Sequence, residues 1–194
     1  MGLQHKLLLL ILFISCITKT KSQAYTPEKI DQMIAGTFQL ADRNQALKTG
    51  LDTYKISDNE SYYLGKAKSL KVIITAYLGL GEQQKALEAA DKLLELATNE
   101  NDEYHSVQAL IAKALAYSYL GFFDKASETS KNAEQLCKKV KDNDDYYSSM
   151  GQIYAGRAEI LNLQYITPQK TIIYDLKSVD YYKKIKDQTK RNGW

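Results

Sequence analysis

The sequence predicts an all-α fold, a solenoid of about four helical hairpins. Three observations support this prediction: small and apolar residues recur every 40 positions, their spacing within each repeat is that of an amphipathic helix, and glycine stands where the middle hairpins turn. The composition agrees with a packed domain. An apolar content of 44%, with only 2 Pro and 10 Gly in 194 residues, excludes collagenous and low-complexity chains.

The first segment, residues 1–24, is predicted to be a signal peptide that directs export. A basic start at Lys6 precedes an apolar run over residues 7–14, which is shorter than the ~20 residues that a membrane-spanning helix needs. Ser22 and Ala24 supply the small-x-small pattern of a signal peptidase site, so we expect cleavage after one of them.

A second interpretation of the leader makes Cys16 the lipidated first residue of a bacterial lipoprotein, since residues 12–15 resemble a lipobox. Phe13 departs from that pattern, in which a Leu is usual. We therefore expect an exported protein, periplasmic if the leader is cleaved, and membrane-associated if it is lipidated or if the chain is truncated.

Charge is balanced once the leader is set aside. The chain has 26 Lys plus Arg and 23 Asp plus Glu, and three of the lysines lie within residues 1–22, which contain no acid. The remainder is neutral, which argues against direct nucleic-acid binding by this segment.

The repeats begin after the leader, in units predicted over residues 27–57, 60–98, 102–140 and 145–187. Within a unit, Leu70, Ile74 and Tyr77 form one helical stripe that ends at Gly81, and Ala86 lies on a second helix. Acidic and Asn-rich runs before the unit starts are predicted to be helix caps rather than calcium sites, because no run has the glycine that an EF-hand loop needs.

The fourth unit is irregular, with Pro168 rather than glycine at its turn and a final helix running through Ile172, Leu176, Val179 and Ile185. Residues 190–194 are predicted to start a fifth unit, because Trp194 continues the repeat position of Leu110 and Tyr154. We accordingly expect the chain to be a fragment or truncated form of a longer protein.

The middle units resemble tetratricopeptide repeats. That family places a bulky, a small and an aromatic residue before a turn glycine, then an aromatic and an alanine, and this order is filled by Leu110, Ala114, Tyr117, Gly121, Phe123 and Ala126. The period of about 40 is longer than the usual 34. The resemblance implies a right-handed solenoid whose first helices line a concave face.

If the groove of that family carries over, the resemblance places a partner groove on the first helices of the second and third units. Its predicted wall includes Lys68, Lys71, Thr75, Ile111, Leu115 and Ser118. The family's carboxylate clamp is not expected, because Thr75 stands where Asn is required. The wall is instead predicted to be cationic at one end and apolar in the middle.

No catalytic or cofactor-binding constellation is found. His105 and Cys137 are the only histidine and cysteine after the leader, which is too few for a zinc site of the usual type, and phosphate-loop and nucleophile-elbow motifs do not occur. We expect no cofactor, no metal and no enzyme activity.

Two functional hypotheses follow. The first is an exported, non-catalytic scaffold that binds a protein or peptide through its concave face. The alternative is the sensory repeat segment of a membrane-bound bacterial regulator of the AraC or LuxR type, whose transmembrane and DNA-binding parts would lie beyond residue 194. The second hypothesis rests on a resemblance in architecture.

Overall fold

A computed structural model describes residues 25–37, 40–165 and 168–187. The predicted signal peptide with Cys16, and the predicted start of a fifth unit at 190–194, lie outside these residues. The described helices, in chain order, are α1 Pro27–Thr37, α2 Arg43–Asn59, α3 Tyr63–Gly79, α4 Gln83–Asn99, α5 Glu103–Tyr119, α6 Phe123–Cys137, α7 Asn143–Leu163 and α8 Pro168–Tyr182.

The eight helices form an all-α solenoid, as predicted. Each helix packs against the next one along the chain, and the first helices of successive hairpins also contact one another, α1 with α3, α3 with α5, and α5 with α7. This connectivity places α1, α3, α5 and α7 in an inner row. The second helices α2, α4, α6 and α8 form an outer row, which leaves the inner row to line any groove.

Mostly small side chains line the buried stripe of the outer helices α2, α4 and α6, at positions that recur every 40 residues. The buried residues are Ala46, Gly50, Thr53 and Ser57 on α2, Ala86, Ala90, Leu93 and Ala97 on α4, and Ala126, Ser130, Ala133 and Cys137 on α6. Small residues let neighbouring helix backbones approach closely. Where the small residue is polar its hydroxyl is satisfied locally, as in the 2.7 Å bond that Ser57 donates to the Thr53 carbonyl.

The turns inside the middle hairpins use the predicted glycines. Gly81 and Gly121 have φ of +76° and +80°, the left-handed region that glycine adopts without a Cβ penalty. The N–H groups of Glu82 and Phe122 then bond the carbonyls of Tyr77 and Tyr117 at 2.9 Å, which closes the helix ends in Schellman motifs.

The turns from α2 to α3 and from α4 to α5 have the same hydrogen-bond geometry without glycine. Ser61 and Asn101 both have φ of +54°, and the residues that follow them, Tyr62 and Asp102, donate to the carbonyls of Ser57 and Ala97 at 2.8 and 2.9 Å. Asp102 also caps α5, because its carboxylate accepts a 2.9 Å bond from the His105 N–H.

The final helix is shorter than predicted, since it ends at Tyr182 and leaves Ile185 beyond it, buried with 2% exposure. Ile172, Leu176 and Val179 lie within the helix as predicted, and their exposed fractions are 53%, 60% and 45%. The buried residues of α8 are Thr171 and Ser178. On the side of α8 that faces α7, the rings of Tyr174 and Tyr181 stack on the ring of Tyr154, with centroid distances of 6.0 and 5.6 Å respectively. Aromatic stacking, rather than the aliphatic stripe, therefore joins α8 to α7.

Candidate functional site

The inner row lines one open cavity of about 610 Å³, which we call the central groove. Its walls come from the end of α1, from the start of α2, and from one face each of α3, α5 and α7. The lining residues are Thr37, Arg43, Ala46, Lys71, Val72, Ile74, Thr75, Ala76, Leu78, Tyr104, Gln108, Ile111, Ala112, Leu115, Asp145, Ser148 and Gln152. A cavity of this size with a largely apolar lining and a few polar groups has the character of a ligand-binding site.

Helical spacing explains how the sequence builds the groove. On α5, Tyr104, Gln108, Ile111 and Leu115 follow one another at intervals of four, three and four residues, so their side chains share one helix face. Lys71, Thr75 and Leu78 share a face of α3 for the same reason. Because both faces belong to the inner row, they meet across the same space.

The structure places four of the six predicted wall residues on the central groove, namely Lys71, Thr75, Ile111 and Leu115. Lys68 does not line it. The Lys68 ammonium lies 2.9 Å from an Asp31 carboxylate oxygen, which directs the side chain to α1. Ser118 does not line it either, since its side chain is buried, with 2% exposure for the residue, and its hydroxyl donates a 2.7 Å bond to the Leu115 carbonyl.

The apolar floor of the groove is partly domain core. Ile111 is only 8% exposed and belongs to a buried cluster with Val107, Ala133 and Met150, whereas Leu115 is half-buried and more open to the cavity. Thr75 is exposed and its hydroxyl bonds back to the Lys71 carbonyl at 2.9 Å. Leu115 and Thr75 are therefore the positions at which the groove surface can be changed with the least disturbance of the core.

Two cations and one carboxylate face the groove. The Lys71 ammonium lies 3.2 Å from the Tyr104 hydroxyl, to which it donates, and 5.1 Å from the centroid of the Tyr104 ring. Arg43 enters from the first turn of α2, and Asp145 from the first turn of α7. The three charged side chains leave the lining with one net positive charge.

A buried histidine lies beside the groove at the start of α5. His105 is 5% exposed, its Nδ1 is 2.8 Å from an Asp102 carboxylate oxygen, and the Tyr63 hydroxyl donates to the same oxygen at 2.9 Å. Burial lowers the pKa of His105, with Lys71 and Lys68 adding to the effect, and the Asp102 carboxylate offsets it only in part.

The pKa of Asp102 is lowered, although burial opposes the shift, because its carboxylate accepts hydrogen bonds from His105 and Tyr63. The cluster of Asp102, His105 and Tyr63 thus holds a neutral histidine against a charged carboxylate at a helix cap.

Cys137 is fully buried at the end of α6, as expected of a packing residue. Burial, aided by the nearby Glu134 carboxylate, raises the pKa of its thiol to about 11. The thiol therefore stays protonated and weakly nucleophilic near neutral pH.

Within the described ranges, no group of three or more His, Cys, Asp or Glu side chains is arranged to hold a metal ion. Among the helices over the same residues, none has both the length and the apolar content required to span a bilayer.

A scan against protein-family models finds no match, and neither the curated proteins nor the solved structures include a match to the chain.

Sequence reasoning missed part of the groove. Tyr104 and Gln108 were detectable, because they continue the spacing of Ile111 and Leu115 toward the start of α5. Arg43 had no such signal, since it belongs to an outer helix and reaches the groove only because α2 begins where α3 ends.

Proposed function

We propose that this chain is a tetratricopeptide-like repeat protein that binds a protein or peptide segment in the central groove, without catalysis. The observation that carries the proposal is the groove itself, an open cavity of about 610 Å³ lined by four consecutive inner helices or their ends. Half-buried apolar side chains such as Leu78 and Leu115 lie beside polar groups such as Gln108 and Gln152. This combination suits a peptide, whose apolar side chains require burial while its backbone requires hydrogen-bond partners.

Three features support the family assignment within this proposal. The turn glycines Gly81 and Gly121 lie at the family's position, Ala86 and Ala126 are fully buried five residues later, and the inner row lines the groove. The lengthened period corresponds to helices α3, α4 and α5, each of 17 residues.

The experiment is selection of a random peptide library on the immobilised protein, followed by affinity measurement of a selected peptide. Thr75→Glu and Leu115→Glu are expected to abolish capture, because each introduces a charged carboxylate into the cavity. Ile111→Glu is less informative, since a charge at this buried position would also disturb the core.

Gln135→Glu is the matched control. Gln135 is exposed on the outer helix α6 and does not line the groove, so this variant receives the same new side chain as Thr75→Glu in another place. Equal circular dichroism spectra for all variants would show that the fold is retained. Capture that survives both Thr75→Glu and Leu115→Glu, or failure of the wild-type protein to select any peptide, would contradict the proposal.

We also propose that residues 1–24 direct export, with cleavage after Ser22 or Ala24. Mass spectrometry of the mature N-terminus is expected to find Gln23 or Tyr25 as the first residue. A lipid-modified Cys16 would favour the lipoprotein interpretation, and an intact Met1 in exported material would contradict both.

A further inference from the structure

Arg43 is a cation without an ion-pair partner among the described residues, and it lines the central groove. It occupies the first turn of α2, where the positive end of the helix dipole disfavours a cation. The adjacent Asp42 already satisfies this helix end, since its carboxylate accepts bonds from the N–H groups of Asn44 and Gln45 at 2.8 and 3.3 Å. Nothing in the local structure of α2 therefore requires an arginine at this position.

The Arg43 side chain packs against Gly79, the last residue of α3. A Cβ atom added at Gly79 would lie 3.1 Å from Nε of Arg43 and 3.2 Å from its Cδ, so the stem of the arginine runs directly over the glycine. The carbonyls of Tyr77 and Leu78 at this end of α3 already accept bonds from the N–H groups of Glu82 and Gly81. No hydrogen bond from the guanidinium occurs within residues 25–37, 40–165 and 168–187.

The second cation of the groove is placed differently. Lys71 lies two turns before Gly79 on α3, roughly 12 Å along the helix axis, and its ammonium is engaged by Tyr104. Arg43 therefore offers the stronger site for a carboxylate, since its planar guanidinium presents several donors in a geometry that matches two carboxylate oxygens. Leu78, beside Gly79, supplies apolar surface next to this site.

We propose that the central groove selects a peptide segment that combines an acidic side chain with apolar ones. The Asp or Glu of the segment pairs with Arg43, and its apolar side chains contact Leu78 and Leu115. This inference rests on the proposed function, and adds to it the chemistry of the partner and the residue that recognises its charge.

The test uses the same random peptide library, selected in parallel on the wild-type protein and on Arg43→Gln and Arg43→Glu. Wild-type selection is expected to enrich Asp and Glu over the unselected library. Arg43→Gln is expected to lose this enrichment and to bind a wild-type-selected peptide about tenfold more weakly. Arg43→Glu is expected to enrich Lys and Arg in its place. Because Arg43 is exposed, both variants are expected to retain the fold.

Lys48→Glu is the matched control, since Lys48 is an exposed cation of the same helix that does not line the groove. It is expected to select the same acidic peptides as the wild type. Gly79→Ala provides an independent variant that keeps the arginine but displaces its stem. This variant is expected to weaken binding of the acidic peptide more than binding of the same peptide with Gln in place of its acid.

The outcomes separate this inference from the proposed function. One outcome is that the wild type selects peptides that no longer bind to Leu115→Glu but that show no acidic enrichment. This outcome would overturn the role of Arg43 and leave the groove as a binding site. Acidic enrichment that persists in Arg43→Glu would also overturn it. Failure of the wild type to select any peptide would overturn both proposals.

Discussion

Alanine substitution at two glycines of α7 is expected to have different effects on stability. Both Gly151 and Gly156 lie inside the helix Asn143–Leu163, where alanine is more favourable than glycine by about 1 kcal/mol. A Cβ at Gly156 would meet only Cδ2 of Leu115 at 3.8 Å, an ordinary contact. A Cβ at Gly151 would lie 2.7 Å from Cε1 and 2.8 Å from Cζ of Tyr182, closer than side chains pack.

Relief of that contact requires movement of an aromatic ring packed between α7 and α8. Overpacking of this kind costs about 1–3 kcal/mol, which cancels or exceeds the gain in helix propensity. Gly156→Ala is therefore expected to stabilise the protein, and Gly151→Ala to leave it unchanged or to destabilise it. The two variants should differ by about 2 kcal/mol in the free energy of unfolding, or about 4–8 °C in Tm for a chain of this size.

Urea unfolding followed by far-ultraviolet circular dichroism measures the difference. The double variant Gly151→Ala, Tyr182→Ala supplies the check, because removal of the ring should eliminate the cost of the new methyl group. An equal gain in stability for both single variants would refute the close packing of α8 on α7. So would a loss at Gly151 that persists in the Tyr182→Ala background.

Three further outcomes are expected. Ser61→Gly should raise the free energy of unfolding by about 1 kcal/mol in urea titrations, since Ser61 has a φ of +54° that glycine adopts without a Cβ penalty; an unchanged midpoint would contradict this. Because the pKa of His105 is lowered in the folded protein, the unfolded chain binds its proton more readily, so stability should fall as pH drops below about 6.5. The fall should be smaller in His105→Gln, and an identical pH dependence would refute the assignment. In Cys16→Ser, Cys137 becomes the only cysteine and should react with a thiol reagent only after denaturant is added, whereas rapid reaction of the native protein would contradict its burial.

The outer helices show how much of the fold was predictable. Ala86 and Ala126 indicated close helix packing from sequence, and the same stripe holds Thr53 and Ser57 in α2, where polar side chains obscure the pattern. The solenoid was predictable because the same helical hairpin recurs along the chain. The inter-hairpin turns at Ser61 and Asn101 were not, since serine and asparagine indicate a left-handed conformation less strongly than glycine does.

Long-range contacts limited prediction of the groove. Helical spacing placed Thr75 and Leu115 on it correctly, but spacing alone does not reveal that Asp31 draws Lys68 toward α1. The same limitation applies to α8, where an aliphatic stripe suggested a packed face and the stacking of Tyr174 and Tyr181 on Tyr154 turned that stripe outward.

The two rows of helices differ in how they are joined. In the described residues, successive inner helices contact one another, whereas each outer helix is held by the inner helices next to it in the chain. A change in the curvature of the solenoid would therefore have to alter the contacts between neighbouring inner helices. Because the central groove is lined by α3, α5 and α7, an occupant that bridges these three helices is expected to oppose such a change.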